Sequence, residues 1–241
     1  MGQFVYSIST FLSRAIYAYL GPVHVLHGER SERSGPFILA SNHISHFDPP
    51  LYCVAARRTI DWMAMTELFA NPWAARFFRG MNAFPTDRSR IDHAVVRTAL
   101  KRLKLGRTVG IFPEGGIRSG PGSVLEGAPM RPGVASLAQM ASVPVVPCVL
   151  LGTDRLYDWR RWLPWRRGAF WVAFGEPIQP RADLPRHAAR EQLERELAAA
   201  FVQLYDELKT TFAIAPEDLP HTQEEREREA QTRKEVMPPP V

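Results

Sequence analysis

The chain has 241 residues, 45% of them hydrophobic, which is enough to bury one sizeable core and excludes a chain disordered throughout. Its formal charge of +5 favours anionic partners, lipid headgroups, nucleotides and nucleic acid among them, without choosing between them. Two cysteines, Cys53 and Cys148, both in apolar runs, argue against a disulfide framework or a cysteine-based zinc site and fit a reducing compartment.

Over residues 4–20, Phe4, Ile8, Phe11, Leu12, Ala15, Ile16, Tyr19 and Leu20 recur at helical spacing, with Ser7, Thr10 and Arg14 as a narrow polar stripe. That pattern predicts an amphipathic helix. The basic start and small-residue cleavage site of a signal peptide are missing, and a membrane-spanning helix would carry Arg14 near the bilayer centre at a cost of about 2.5 to 3.5 kcal/mol. Two readings remain: an aromatic-rich helix lying in the headgroup plane, or a helix packed on the domain's own core.

Seven short apolar runs bounded by turn residues follow: "VHVLHG", "PFILA", "IDWMAM", "NAFPT", "TVGIFP", "VPVVPCVLL" and "AFWVAFG". Helical patterns fall between or after them at 49–57, 67–80, 90–105, 132–141 and 184–212. The alternation predicts an α/β fold, a mostly parallel central sheet of about seven strands with helices on both faces. The expected organisation is an interfacial helix at 1–22, one α/β domain at 23–214 and a charged, proline-ended, disordered tail at 215–241.

Polar residues crowd the strand ends. In "SNHISHFDPP", His43 and Asp48 are five apart, about 140° around a continuous helix, so they cooperate only across a bend. A strand ending near Ser41 must turn before Pro49, which suits a first helical turn, with Asp48 before it as N-cap. Capping is the plain role for Asp48, although its second oxygen could meet an imidazole N–H. His43, where a strand opens into a βα loop, is the candidate base, with a hydrogen-bonded loop histidine as the plain alternative. A metal set of His43, His46 and Asp48 lacks a convincing further histidine segment. In "FPEGGIRSGPG", glycines permit close backbone approach, Glu114 can accept hydrogen bonds, and Arg118 offers a planar fork for phosphate or carboxylate. "AFPTDR" ends a third strand with Arg88.

Taken together, "NHISHFD", "GMNAFPTDR", "FPEGGIRS" and "VPVVPC" resemble the four ordered blocks of the glycerolipid and lysophospholipid acyltransferases, the group containing 1-acylglycerol-3-phosphate acyltransferase. The resemblance spans 21–178. One departure is three residues between Glu114 and Arg118 where the family usually has two. Glu114 and Gly115 carry over directly; Arg118 does so if the loop absorbs the extra residue.

The resemblance implies acyl transfer from an acyl thioester, on coenzyme A or acyl carrier protein, to the hydroxyl of a lysophospholipid. The product expected first is phosphatidic acid, in phospholipid biosynthesis. His43 would be the general base, and Asp48 would hold its tautomer. Backbone N–H groups or Asn42 are candidates for holding the oxyanion. Arg88, Glu114, Gly115 and Arg118 would hold the acceptor, with no metal and no resident cofactor. Tryptophans interleaved with arginines over 154–171 suit a membrane interface, and equally a single strand of nucleic acid or a plain surface hairpin. The inferred bilayer acceptor favours a membrane-associated protein on the cytoplasmic face and no nucleic acid. The alternatives are a catalytically weak lipid- or nucleic-acid-binding protein on the same scaffold and, more distantly, a metal-assisted hydrolase.

Overall fold

A computed structural model describes residues 2–87, 93–222, 225 and 228. Helix α1 (Gly2–Leu20) leads into β1 (Val23–Leu26), β2 (Phe37–Ser41), α2 (Asp48–Ala55), β3 (Ile60–Met65), α3 (Pro72–Gly80) and β4 (Phe84–Thr86). Then come α4 (His93–Lys104), β5 (Thr108–Ile111), α5 (Gly133–Ala141), β6 (Val145–Leu151), β7 (Phe170–Phe174) and α6 (Arg186–Thr211). Among the described residues the strands form one seven-stranded sheet in the order β1-β7-β6-β2-β5-β3-β4. Strands β2 to β6 share one direction; β7 returns antiparallel to β6, with β1 parallel to β7. The reversal has a local cause. The link from β6 to β7 is a strap of 3-10 turns, Thr153–Tyr157, Trp159–Trp162 and Pro164–Arg166, with no crossover helix to carry the chain back for a parallel strand.

Side chains alternate across the sheet as the strand period requires. Ile38, Ala40, Val145, Val149 and Val109 pack under α4, α5 and α6; Phe37, Leu39, Val146, Cys148 and Leu150 pack under α1 and α2. The central strands β2 and β6 are buried along their whole length, which explains their uninterrupted apolar sequences.

Two expectations change. The helix expected over 67–80 is split: Thr66–Phe69 is a 3-10 turn, and α3 restarts at Pro72 because Asn71, extended and holding the amides of Trp73 and Ala74 on its side chain, caps a new helix. The tail boundary at 215 also moves. Leu219 packs on the core, Asp218 pairs with Arg155, and the Ser119 hydroxyl donates to the His221 carbonyl, so 216–222 lies against the domain. Residues beyond, except 225 and 228, lie outside the described set.

Helix α1 packs on α2 and α3, with Tyr6, Thr10 and Ser13 on its less exposed side. Tyr17 and Leu20 are fully buried. Apart from Leu20, the large side chains of the apolar stripe lie on the other side: Phe4 is 69% and Phe11 72% exposed, and Ile8, Leu12, Ile16 and Tyr19 are exposed with them. The helix thus turns its mixed face inward and its apolar face outward.

Candidate active site

The bend required of His43 and Asp48 is present. Strand β2 ends at Ser41, residues 42–47 turn, and α2 opens at Asp48. His43 Nδ1 lies 2.7 Å from Asp48 Oδ2. The same oxygen accepts the backbone N–H groups of Ile44 at 2.9 Å and Ser45 at 3.0 Å. These N–H groups can only donate, so Asp48 is the acceptor throughout, and His43 Nδ1 carries the hydrogen it donates. The N-cap role is corrected here: Asp48 is the first residue of α2 and its carboxylate reaches back into the turn before the helix, while Phe47 stands at the cap without a side-chain bond.

The imidazole is fixed on one face as well as at its edge. Phe112 stacks on it with ring centroids 4.0 Å apart and planes 15° apart, and Trp62 stacks on Phe112 at 4.6 Å. Gly110 leaves room for this pile, since a Cβ there would fall 2.5 Å from the Trp62 ring. With Nδ1 committed and the ring clamped, Nε2 is the nitrogen able to take a proton.

The loop after β5 clasps the main chain of His43 from both sides. Glu114 Oε2 accepts the His43 N–H at 2.7 Å, and the Arg118 N–H donates to the His43 carbonyl at 2.8 Å. Glu114 Oε1 accepts from the Ser123 hydroxyl and the Val124 N–H. Its carboxylate therefore faces protein donors on both oxygens, which makes it a brace for the base. Burial pushes its carboxyl up from the ordinary glutamate value, and the hydrogen bonds from Ser123, Val124 and His43 oppose that shift. Gly115 has φ +69, and a Cβ there would meet the Arg131 guanidinium at 2.2 Å, so this position suits only glycine. Arg118 meets His43 through its backbone N–H alone, and its side chain is exposed. Arg88 lies outside the described residues.

Several partners escaped the sequence reading. The Asn42 amide bonds the Leu150 carbonyl at 3.0 Å and the Leu150 N–H at 2.8 Å, tying the end of β2 to β6. Thr153, after β6, places its hydroxyl on Asp48 Oδ1. His46 bonds the Tyr157 hydroxyl through both its ring and its backbone, turning away from the pair. Phe112 could have been suspected only from its place just after β5; Trp62, within β3, and Arg131, Thr153 and Tyr157 carried no local signal. Among the described residues no group of three or more histidine, cysteine, aspartate or glutamate side chains is arranged to hold a metal.

This geometry is suited to taking a proton from a hydroxyl, and comparison with known proteins agrees. Residues 23–151 match the family model described as Acyltransferase. A 1-acyl-sn-glycerol-3-phosphate acyltransferase of Bacillus subtilis is 30% identical over 181 residues, 75% of this chain and 85% of that protein. One of the same name from Saccharomyces cerevisiae is 28% identical over 162 residues, 63% of this chain and 50% of the yeast protein. The crystal structure of the 1-acyl-sn-glycerophosphate (LPA) acyltransferase from Thermotoga maritima has the same fold, with a TM-score of 0.61 at 24% identity over 84% of this chain and 81% of that one. The family match over more than half of the chain, together with the extent of the Bacillus similarity, makes this chain a member of the acyltransferase family and an enzyme of acyl transfer.

Proposed function

We propose that the enzyme acylates the free hydroxyl of 1-acylglycerol-3-phosphate, using an acyl thioester of coenzyme A or acyl carrier protein, and so forms phosphatidic acid for phospholipid biosynthesis. The observation that carries this reading is the committed Nδ1 of His43 on Asp48, which leaves Nε2 for the acceptor's proton. As the acceptor oxygen bonds to the thioester carbonyl carbon, its proton passes to Nε2. The C–S bond then breaks, and the proton returns to the departing sulfur. A positioned base of this kind contributes typically about 10²- to 10⁴-fold. Asp48 stabilises the imidazolium in between. The thioester itself brings the activated acyl group, so the reaction as proposed draws on no resident cofactor. Arg118, beside His43, and Arg88 are assigned to the acceptor phosphate, which a guanidinium grips through two parallel bonds. Gly115 leaves room beside its own loop for the Arg131 side chain.

A membrane surface on the cytoplasmic side is the proposed setting. Among the described residues no helix is long and apolar enough to cross a membrane. Support for a surface partner comes from the outward apolar face of α1 and from Trp73, 82% exposed, on the adjoining α3. Beside that face a groove of about 480 Å³, lined by Arg14, Ala18, Pro22, Val23, Val54 and Arg167, offers two guanidinium groups to anionic headgroups.

The test is product analysis. Purified protein is offered a panel of lysolipids, phosphorylated and not, with labelled acyl-coenzyme A or acyl carrier protein, and the acylated lipid is identified by mass spectrometry. Labelled phosphatidic acid as the main product is expected; preferential acylation of a lysolipid lacking the terminal phosphate would overturn the substrate assignment.

A further inference from the structure

Asp48 has two carboxylate oxygens and both are spoken for. Oδ2 takes the His43 ring and two backbone N–H groups, while Oδ1 takes the hydroxyl of Thr153. Asp48 and Thr153 are completely buried, and His43 is 8% exposed. The donor comes from outside the loop that carries the pair. Thr153 follows β6, the sheet neighbour of β2, where Ser41 stands in register with Cys148. Asn42 holds those two strand ends together through Leu150, so the distance between Thr153 and Asp48 is set by the sheet. Gly152 turns the chain at the right place. Its φ is +94, and a Cβ there would fall 2.7 Å from the Ala169 carbonyl oxygen, so glycine alone fits the turn that aims Thr153 back at Asp48.

A carboxylate can swing about a broad terminal torsion, and anchoring one oxygen leaves the position of the other loosely defined. Fastening both removes that freedom. We propose that Thr153 is a positioning residue for acyl transfer: its hydroxyl locks the plane of the Asp48 carboxylate so that Oδ2 stays aimed at His43 Nδ1, and the imidazole is held in the tautomer and orientation that present Nε2 to the acceptor. This rests on the reading of His43 as the base. The interaction is made before substrate arrives and does not touch it, so its loss falls on turnover and spares binding.

The experiment compares the full-length protein with Thr153→Val, which keeps the shape and removes the hydroxyl, Thr153→Ser, which keeps the hydroxyl, and His43→Ala. Each is assayed with 1-acylglycerol-3-phosphate and an acyl-coenzyme A, after circular dichroism and thermal melting have established folding. Thr153→Val is expected to lower kcat about ten- to a hundred-fold, the range for losing a hydrogen bond to a charged group, with KM within about twofold of the parent. Thr153→Ser is expected to restore most of the turnover. If the valine variant does not fold, Thr153→Ala takes its place and the difference between serine and alanine decides. Parental kcat in the hydroxyl-free variant, a rise in KM alone, or a serine variant as impaired as valine would each overturn the proposal. Near-parental turnover in folded His43→Ala would instead remove the underlying assignment of the base, an outcome distinct from the others.

Discussion

His43 is held at its ring edge by Asp48, across its ring face by Phe112, and along its main chain by Glu114 and Arg118. Removing the imidazole should abolish proton transfer while keeping the main-chain bonds to Glu114 and Arg118. His43→Ala is therefore expected to fold and to lose at least about 10²-fold in kcat, in steady-state assays run with and without chelator. Asp48→Asn should be comparably impaired, because an amide nitrogen facing Ile44, Ser45 or the ring opposes donors with a donor and favours the wrong tautomer. Glu114 gives a pH-dependent test. Its folded carboxyl is raised above the ordinary value of 4.5, so its contribution to stability is full below that value and is lost as pH rises through the folded value. In melting curves from acid to neutral pH, the advantage of the parent over Glu114→Gln is expected to shrink as pH rises; an advantage that grows would contradict burial as the dominant influence on this carboxyl.

At the scale of elements, α1 is the informative case. Its apolar spacing announced a helix but could not say which face would pack, because burial in the core and immersion in a headgroup layer use the same side chains. In the fold the inward contacts are made by Tyr17, whose hydroxyl bonds the Phe47 carbonyl next to the catalytic turn, and by Leu20. Removing the whole helix would therefore disturb the domain, and substitutions on the outer face are the cleaner probe. Phe4→Ser with Phe11→Ser is expected to weaken sedimentation with phospholipid vesicles while shifting stability by no more than about 0.5 kcal/mol per site, the range for exposed positions. Unchanged vesicle binding would reject the membrane role of this face. By contrast, Tyr17→Ala should cost about 3 to 5 kcal/mol, as other large aromatic deletions from cores do, and would be read by denaturant unfolding.

In the whole molecule, three separate stretches of chain converge on one end of the sheet: the turn after β2, the loop after β5 and the strap after β6. The acceptor assignment depends on that convergence. Arg118→Ala is expected to reduce kcat/KM for a phosphorylated lysolipid about ten- to a hundred-fold while leaving slow hydrolysis of the acyl thioester nearly unchanged. Equal loss of both activities would assign the Arg118 side chain to the donor or to the fold, since alanine keeps the backbone N–H that donates to His43.

The seven strands, the long final helix and the motif residues at strand ends could be read from sequence because they are local: apolar runs of strand length bounded by turn residues, and polar clusters just after them. The antiparallel return of β7 was not readable, since pairing direction depends on how the strap after β6 folds back. Nor was the division of labour at the site. The motif already paired Asp48 with His43, but Glu114 looked like a ligand for substrate; only the approach of the His43 main chain, 2.7 Å away, set its carboxylate against the base. Thr153 is the extreme example, 105 residues from Asp48 in sequence and in hydrogen-bond contact with it in space. A hydrophobic pattern specifies which residues leave water, but the partner of a buried polar group is set by strand order and register, which belong to the sheet as a whole.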